Sequence, residues 1–321
     1  MAGKVPRGDW KSVPTALLPP EKHFTIVAKE VSEMVKHNAS ARRTVIVRKR
    51  IAEIQRESPT SFGDTPIDWE TELQGFGDLP YPDYYRQPFH SVPGGWLSKR
   101  AATVNREAMQ AIYKDAHRNS CMGLRKILSM YVPRSAMTVV DVGTGDGDGA
   151  ASTARYLPGA KVIGIDASPF MIIVGRRQNR DCPNLEFRHL LAEKTGIASN
   201  SIDAVTICLV LHECENGAKR NILKEALRIL KPGGTIVLAD TPQSDLFTFR
   251  GFYEPWKEQW LDFEPVSALQ GAGFEGVEDK GILGGDGKVL SVQEHVGDWS
   301  KATTDNRLFC FTARKPIGAR L

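Results

Sequence analysis

The ten residues from Thr138 to Gly147, TVVDVGTGDG, constrain the fold of this chain more than any other segment. The run begins with apolar, mostly β-branched residues broken by a single acid, which predicts a buried strand of a parallel sheet. Glycines follow at alternate positions, and such a turn lets a ligand approach the backbone because no Cβ atoms stand in the way. A helix beginning near Gly147 would point its N–H groups at that ligand. The run therefore predicts a nucleotide-binding α/β unit.

Two classes of ligand fit this turn. Gly145, Gly147 and Ala150 satisfy the G-x-G-x-x-A pattern of dinucleotide-binding folds. The first glycine after the strand is Gly143, however, and Asp141 lies at the end of the strand. A carboxylate there repels a pyrophosphate and attracts a cation. S-adenosylmethionine carries a sulfonium and an α-ammonium, so it suits the turn better than NAD does.

A second acid supports nucleoside binding. Asp166 ends the predicted strand KVIGID, about where an α/β unit places the carboxylate that binds both ribose hydroxyls. Asp166 could equally cap the helix that Ser168-Pro169 predicts, and the two roles are compatible. NAD and S-adenosylmethionine both contain ribose, so Asp166 does not choose between them.

Five segments resemble the class I S-adenosylmethionine-dependent methyltransferases in order and spacing: DVGTGDG at 141–147, GIDASPFMI at 164–172, SIDAVTICLVLHE at 201–213, ALRILKPGGTIVLAD at 226–240 and ALQGAGFEGVE at 268–278. The resemblance covers residues 119–315 and is strongest to the small-molecule branch. It implies an α/β fold with a Rossmann-like, doubly wound seven-stranded sheet whose last strand is antiparallel. It also implies S-adenosyl-L-methionine as cofactor and in-line methylation of O, N or S on a small-molecule acceptor.

The resemblance assigns a cofactor site residue by residue. Asp141 and the three glycines would hold the methionine part, Asp166 the ribose, and Ala167 would flank adenine. Family members often carry an Asp-Ala pair that binds the adenine amino group, whereas this chain has Leu191 in place of that Asp. Backbone groups or the Glu193 side chain would then bind adenine. The implied cofactor-binding residues are Asp141, Gly143, Gly145, Gly147, Asp166, Ala167, Leu191 and Ala192.

Composition is that of an ordinary globular protein, with 41% apolar and 25% charged residues in a chain of 321. That length suffices for an N-terminal cap at residues 1–118 and a methyltransferase domain at 119–321. The five cysteines contain no C-x-x-C pair, which argues against a disulfide framework and a metal site and favours a reducing compartment. There is no apolar run of the roughly 18 residues that a membrane span needs, so the expected location is cytoplasmic.

The first sixty residues are basic, with twelve Lys or Arg against six Asp or Glu. We interpret them as solvated faces of two amphipathic helices that cover the cofactor cleft, and we expect no nucleic-acid partner because no aromatic residues alternate with the charges. The alternatives are an organellar address or an arm by which a methyltransferase-like protein docks on a macromolecule. An NAD-dependent oxidoreductase is less favoured, and a homodimer is compatible with every interpretation.

A polar, Gly- and Pro-bearing stretch from Glu57 to Pro93 is predicted to join those helices to another over Leu97–His117, capped by Ser98. Within it, YPDYYRQPFH at 81–90 gathers four aromatic rings, an Arg and a His. Aromatic faces attract a sulfonium through cation–π interactions. We therefore expect this segment to reach the cleft, with Tyr85 and His90 as candidate catalytic residues, or else to dock on the core.

His212 is the third catalytic candidate. It follows the apolar strand at 203–210, so it lies at the carboxyl edge of the sheet, where ligands bind in open α/β folds. A neutral His there could accept the proton that the acceptor loses; alternatively it only shapes the pocket. Asp240, at the end of the next predicted strand, 234–240, has the same placement. The segment Phe247–Phe263, with Trp256 and Trp260, is predicted to be a helix that lines the acceptor pocket or packs on the sheet.

Overall fold

The computed structural model describes residues 61–62, 65–89, 94–103, 128–241, 255–283, 289–290 and 308–318. Its strands are β1 (Ser61–Phe62), β2 (Thr65–Pro66), β3 (Thr138–Val142), β4 (Lys161–Asp166), β5 (Leu185–His189), β6 (Ile202–Cys208), β7 (Leu230–Asp240), β8 (Glu275–Leu283), β9 (Val289–Leu290) and β10 (Leu308–Arg314). Its α-helices are α1 (Trp69–Leu73), α2 (Asp148–Tyr156), α3 (Pro169–Gln178), α4 (Asn216–Ile229), α5 (Lys257–Leu261) and α6 (Pro265–Ala272). Short 3-10 helices span Asp83–Arg86 and Leu211–Glu213.

The main sheet has the strand order β5-β4-β3-β6-β7-β10-β8-β9. The first five are parallel, and β10 is antiparallel to both of its neighbours, β7 and β8. Seven of the eight are full strands, and β9 adds two residues that pair with the end of β8. The predicted seven-stranded, Rossmann-like sheet with an antiparallel last strand is confirmed.

The chain crosses from β5 at one edge to β6 beside β3, so the strand order reverses between β3 and β6. Asp141 of β3 lies in register with Thr206 of β6 on one side and Gly164 of β4 on the other. In an open α/β sheet, ligands bind in the crevice at such a reversal. The topology therefore places the glycine turn after β3 at the binding edge of the sheet.

The largest differences from the sequence expectation are at two strand ends. The strand expected at 234–240 begins four residues earlier, at Leu230, which pairs with Ile202 before a register shift. The strand expected at 203–210 ends at Cys208, because Leu209 takes the left-handed conformation with φ 58°. Both differences lie next to turns that the residue pattern does not resolve.

Apolar side chains pack on both faces of the sheet. One large cluster joins the sheet to α4, α6 and the fully buried Trp260, and a second packs α2 against β3, β4 and β10. A third cluster joins part of the N-terminal region, through Trp69 and Ala102, to α3 through Phe170 and Ile173. The described part of the N-terminal region thus shares a core with the sheet.

The stretch predicted as a connection from Glu57 to Pro93 contains the short helix α1, which the sequence analysis missed. Asp68 caps it by accepting the backbone N–H and the hydroxyl of Thr71. The predicted cap Ser98 is present, since its Oγ accepts the N–H of Ala101 at 3.1 Å. The helices predicted in residues 1–60 and the remainder of the Leu97–His117 helix beyond residue 103 lie outside the described residues. Residues 247–254 of the predicted Phe247–Phe263 helix also lie outside them, and α5 covers Lys257–Leu261 of its described part.

None of the helices in the described ranges has both the length and the apolar character that a membrane span requires.

Candidate active site

The three glycines of the turn after β3 all have left-handed backbone conformations, with φ 63° at Gly143, 55° at Gly145 and 80° at Gly147. A Cβ atom on Gly143 would lie 2.4 Å from the Val210 side chain, and one on Gly147 would lie 2.3 Å from the Phe187 ring. A Cβ on Gly145 would meet no protein atom within 4 Å. Gly143 and Gly147 therefore serve packing, whereas Gly145 faces open space in which a ligand can contact the backbone.

Asp141 is buried at the floor of this turn. One carboxylate oxygen accepts the Thr144 hydroxyl at 2.7 Å, and the other accepts the Thr206 hydroxyl at 2.6 Å. These bonds tie the turn to β6 across the point where the strand order reverses. A carboxylate at this place favours a cation above the turn over an anion.

Asp166 connects the glycine turn with α3. Its Oδ2 accepts the Gly145 N–H at 2.9 Å and its Oδ1 accepts the Ser168 N–H at 2.8 Å. Burial raises the pKa of Asp166 to about 6 against the opposing effect of these two bonds, and the nearby Glu213 and Asp141 charges contribute to the rise. The carboxylate is ionised at neutral pH and has one further lone pair on each oxygen for a ligand hydroxyl.

The residues assigned to the adenine side lie beyond Asp166. His189, at the end of β5, places Nε2 at 2.9 Å from the Ala167 carbonyl oxygen and 2.8 Å from the Tyr81 hydroxyl. Leu191 forms an isolated bridge with Lys194, and Ala192 packs against the large core cluster. This region thus offers the backbone around Ala167 and the edges of Tyr81 and His189 to a planar ring.

Glu193, the suggested substitute for the missing Asp, already accepts a hydrogen bond from the Tyr84 hydroxyl at 2.6 Å. That contact joins the loop after β5 to the aromatic segment at 81–89. The nearby Cys214 thiol is buried, and burial raises its pKa well above its usual value. Glu193 therefore positions Tyr84, whichever group binds adenine.

His212 and Asp240 form a buried pair at the ends of β6 and β7. His212 Nδ1 lies 2.6 Å from Asp240 Oδ1, and the Asp240 side chain is fully buried. Asp240 Oδ2 accepts backbone N–H groups from Val210, Leu211 and His212 at 2.9–3.3 Å. The carboxylate thereby fixes both the imidazole tautomer and the turn that carries it, with Nδ1 as donor and Nε2 as the basic nitrogen.

The turn that carries His212 begins with strained backbone. Leu209 has φ 58°, which costs an L-residue with a bulky side chain about 1–2 kcal/mol. The bend turns the chain out of β6, so that the three following N–H groups converge on Asp240. Strain of this kind persists only where the surroundings hold it, and it is concentrated at functional sites.

The aromatic segment docks on the core next to the site, since the Tyr81 and Tyr84 side chains are buried and bond His189 and Glu193. Tyr85 stacks on Tyr81 with a centroid distance of 6.0 Å and an interplanar angle of 10°, and its ring also contacts Tyr84 and Phe89. Burial and the Asp166 charge raise the pKa of Tyr85 well above its usual value. Tyr85 therefore lies within electrostatic reach of the predicted ribose acid. His90 lies outside the described residues.

A second contact from the N-terminal region closes the site. The Trp96 indole N–H donates to the Glu213 carboxylate, and the Trp96 carbonyl oxygen accepts the Ser168 hydroxyl at 2.7 Å. Ser168 is fully buried and also caps α3 by accepting the Met171 N–H. Trp96 thus joins the loops after β4 and β6. The sequence analysis missed it, because Trp96 and Glu213 are far apart in the chain and only the fold brings them together.

Comparisons with known proteins identify the family of the chain. A family model described as "Methyltransferase domain" matches residues 139–234. The demethylmenaquinone methyltransferase of Clavibacter sepedonicus is 32% identical over 180 residues, which cover 48% of this chain and 71% of the relative. The chain belongs to the class I S-adenosylmethionine-dependent methyltransferases. The cofactor of this methyltransferase family is S-adenosylmethionine, so the dinucleotide alternative is set aside.

Two further similarities extend the comparison. The demethylmenaquinone methyltransferase of Chlorobaculum parvum is 43% identical over 96 residues, which are 30% of this methyltransferase and 37% of the relative. The chain thus spans little more than a third of that relative. Among solved structures, phosphoethanolamine N-methyltransferase 2 of Haemonchus contortus in complex with S-adenosyl-L-methionine is 18% identical, with a TM-score of 0.47 over 70% of this chain and 61% of that chain.

Proposed function

We propose that this methyltransferase transfers the methyl group of S-adenosylmethionine to a small-molecule acceptor bound beside His212. The observation that carries the proposal is the Asp166 bridge, which joins the predicted ribose acid to the N–H of Gly145, the glycine that faces open space. When bound, S-adenosylmethionine supplies an electrophilic methyl group on sulfur. The protein's part is to hold the cofactor and the acceptor in line and to remove a proton.

The described residues fit the cofactor. Gly145 leaves room for a ligand against the backbone, and Asp166 retains acceptor capacity for two ribose hydroxyls. Asp141 and Glu213 surround the same space with negative charge, which favours a sulfonium and an α-ammonium. Tyr81 and Tyr85 cover that space with aromatic faces, which attract a cation and exclude water.

We assign the role of general base to His212. Its Nδ1–H donates to Asp240, so Nε2 accepts a proton from an acceptor hydroxyl, amine or thiol as the new bond to the methyl carbon forms. Bound S-adenosylmethionine would give up its methyl group, and the electron pair of the broken methyl–sulfur bond would stay on its sulfur. Glu213 Oε1 lies 3.6 Å from Nε2 and stabilises the imidazolium that results. Tyr85 shapes the acceptor pocket in this scheme.

The acceptor that best suits the site is a flat aromatic compound with an ionisable oxygen. The Tyr84 ring meets Tyr85 and Trp256 edge-on, and Trp260, four residues after Trp256, meets the His212 ring. Relatives named demethylmenaquinone methyltransferase support the choice of a quinol-like ring as the first acceptor to test. We do not assign a macromolecular acceptor, because no described feature favours one.

The test combines binding with transfer. Calorimetry with S-adenosylmethionine should show one site, and Asp166→Ala should weaken it by at least tenfold, because the variant removes the acceptor of both ribose hydroxyls. Asp181→Ala is the matched control, since Asp181 is an exposed acid paired with Arg155 on the surface. A methyl-labelled donor offered with naphthoquinols, phenols, amines and thiols should label one class. Unchanged affinity in Asp166→Ala, or no labelled product from any class, would contradict the proposal.

A further inference from the structure

We propose that the indole N–H of Trp256 binds an oxygen atom of the methyl acceptor, which makes Trp256 the residue that selects acceptors by their oxygen substituent. The inference rests on the proposed function in that it places the acceptor beside His212. It adds a specific donor atom and a specific chemical requirement, an aromatic ring with a hydrogen-bond-accepting oxygen.

The first observation is a buried donor without a partner. Trp256 Nε1 is inaccessible to solvent and donates to no group in the described part of the chain. Leaving a buried N–H unpaired is unfavourable, and native structures contain few such groups. A ligand oxygen that pairs with this N–H on binding accounts for its presence.

The second observation is that the polar groups of four nearby aromatic side chains, Tyr81, Tyr84, Trp96 and Trp260, are already paired. The Tyr84 hydroxyl donates to Glu193, the Tyr81 hydroxyl pairs with His189, and the Trp96 N–H donates to Glu213. Trp260 donates its own N–H to the Thr241 carbonyl oxygen at 3.2 Å. Among these aromatic side chains, Trp256 is therefore the donor that the protein leaves for a ligand.

The third observation places this donor beside the chemistry. Trp256 precedes α5 and its carbonyl oxygen accepts the Trp260 N–H, so the two indoles lie one helical turn apart on the same face. The Trp260 ring meets the His212 ring at a centroid distance of 6.0 Å. On its other side, Trp256 meets the Tyr84 ring edge-on at 6.5 Å. A ring lying along Tyr84 and Tyr85 can thus reach both Trp256 and the His212 turn.

The pairing has a chemical consequence for acceptor choice. An oxygen that accepts from Trp256 gains the most when it carries negative charge, because charge-assisted hydrogen bonds are about twice as strong as neutral ones. Removal of a proton by His212 creates such charge on a phenol or quinol. Acceptors without an oxygen leave the Trp256 N–H unpaired, so they bind less tightly by the value of that hydrogen bond.

The test follows the indole N–H directly. The chain has six tryptophans, so a ¹⁵N-labelled sample gives six indole signals, and the one that Trp256→Phe removes belongs to Trp256. Naphthol added to the complex with S-adenosylhomocysteine should shift this signal downfield and slow its exchange with water. Methylnaphthalene, in which a methyl group replaces the hydroxyl, should not.

Affinity gives the second readout. Trp256→Phe should reduce the preference for naphthol over methylnaphthalene by about threefold to tenfold, the value of one hydrogen bond. Trp69→Phe, in the N-terminal cluster against Phe170, is the matched control and should leave the preference unchanged. The inference is overturned if the Trp256 signal does not move, if both probes move it equally, if neither binds, or if the preference survives in Trp256→Phe.

The two proposals fail in distinguishable ways. Methyl transfer to a phenolic acceptor with an unresponsive Trp256 signal would remove the inference and leave the proposed function. If the Trp256 signal responds but the protein binds S-adenosylmethionine and transfers no methyl group, the proposed function would fail and the role of Trp256 in binding would stand.

Discussion

Cofactor affinity should fall about tenfold between pH 7 and pH 5, because Asp166 must be ionised to accept the ribose hydroxyls. Its pKa is about 6 in the ligand-free protein. The carboxylate is therefore about nine-tenths ionised at pH 7 and about one-tenth at pH 5, and the difference corresponds to about 1.4 kcal/mol of binding free energy. The cofactor's own α-carboxyl and α-amino groups titrate mainly outside this window, near pH 3.5 and pH 8, the usual pKa values of such groups.

Calorimetry at constant ionic strength measures the effect. Asp166→Asn is the diagnostic variant, because an amide cannot ionise: its affinity should be weak at both pH values and the slope should disappear. Far-UV circular dichroism at pH 5 checks that the protein is still folded. A wild-type affinity that stays flat from pH 7 to pH 5, or a slope that persists in Asp166→Asn, would refute the reasoning.

The raised pKa of Asp166 also makes folding stability depend on pH. Whereas cofactor affinity rises with pH, the contribution of Asp166 to stability falls. A carboxyl whose pKa rises on folding contributes stability that is present below its unfolded pKa, near 3.8, and is lost as pH rises through 6. For Asp166 this amounts to up to about 3 kcal/mol. Urea titrations should show the stability of Asp166→Asn rising relative to wild type over that range, and bound cofactor should offset the difference.

Three further predictions concern single residues. Gly147→Ala should lower the free energy of unfolding by about 3 kcal/mol, because its Cβ would overlap the Phe187 ring. Gly145→Ala should lower it by about 1 kcal/mol and mainly weaken cofactor binding, because the space beside Gly145 is open. Thermal melts measure the first effect and calorimetry the second. His212→Asn should lower kcat about a hundredfold with cofactor affinity unchanged, and equal kcat would remove its role as base. Lys315→Met should cost about 2–3 kcal/mol in urea unfolding, because the fully buried ammonium donates to two backbone carbonyl oxygens and a side-chain amide; a surface-like loss below 0.5 kcal/mol would contradict this.

The bounds of the central strands could be predicted to the residue wherever the residue pattern and the following turn agree. β3 and β4 begin and end as expected, since each is a short β-branched run closed by a glycine turn or an acid followed by Ser-Pro. The start of β7 was not predictable, because Pro232 and the glycines after it are typical of a turn. Pairing with β6 across a register shift extends that strand back to Leu230. Tertiary pairing here overrides local preference.

The site residues also fall into two groups, those that local sequence patterns predict and those that only the fold brings together. The glycine turn and Asp166 follow from local patterns, and the strand ends place His212 and Asp240 at one edge of the sheet. Their direct bond depends on the register that sets Cys208 beside Ala239, which no local pattern shows. Contacts from the N-terminal region are harder still, because a link such as Tyr84 to Glu193 joins segments more than a hundred residues apart. Such contacts carry no periodicity, so only the fold reveals them.

The strained backbone at Leu209 links the chemistry to a part of the core that touches no ligand. The Leu209 side chain packs against the second cluster, which includes Leu128, Val139 and Cys310. That packing holds the left-handed bend against its tendency to relax. Loosening the cluster should let the bend relax and move His212 before the protein unfolds. Substitutions in this cluster should therefore lower activity before they measurably lower the stability of the fold. Substitutions that restore a weakened His212 turn should likewise be found in this cluster.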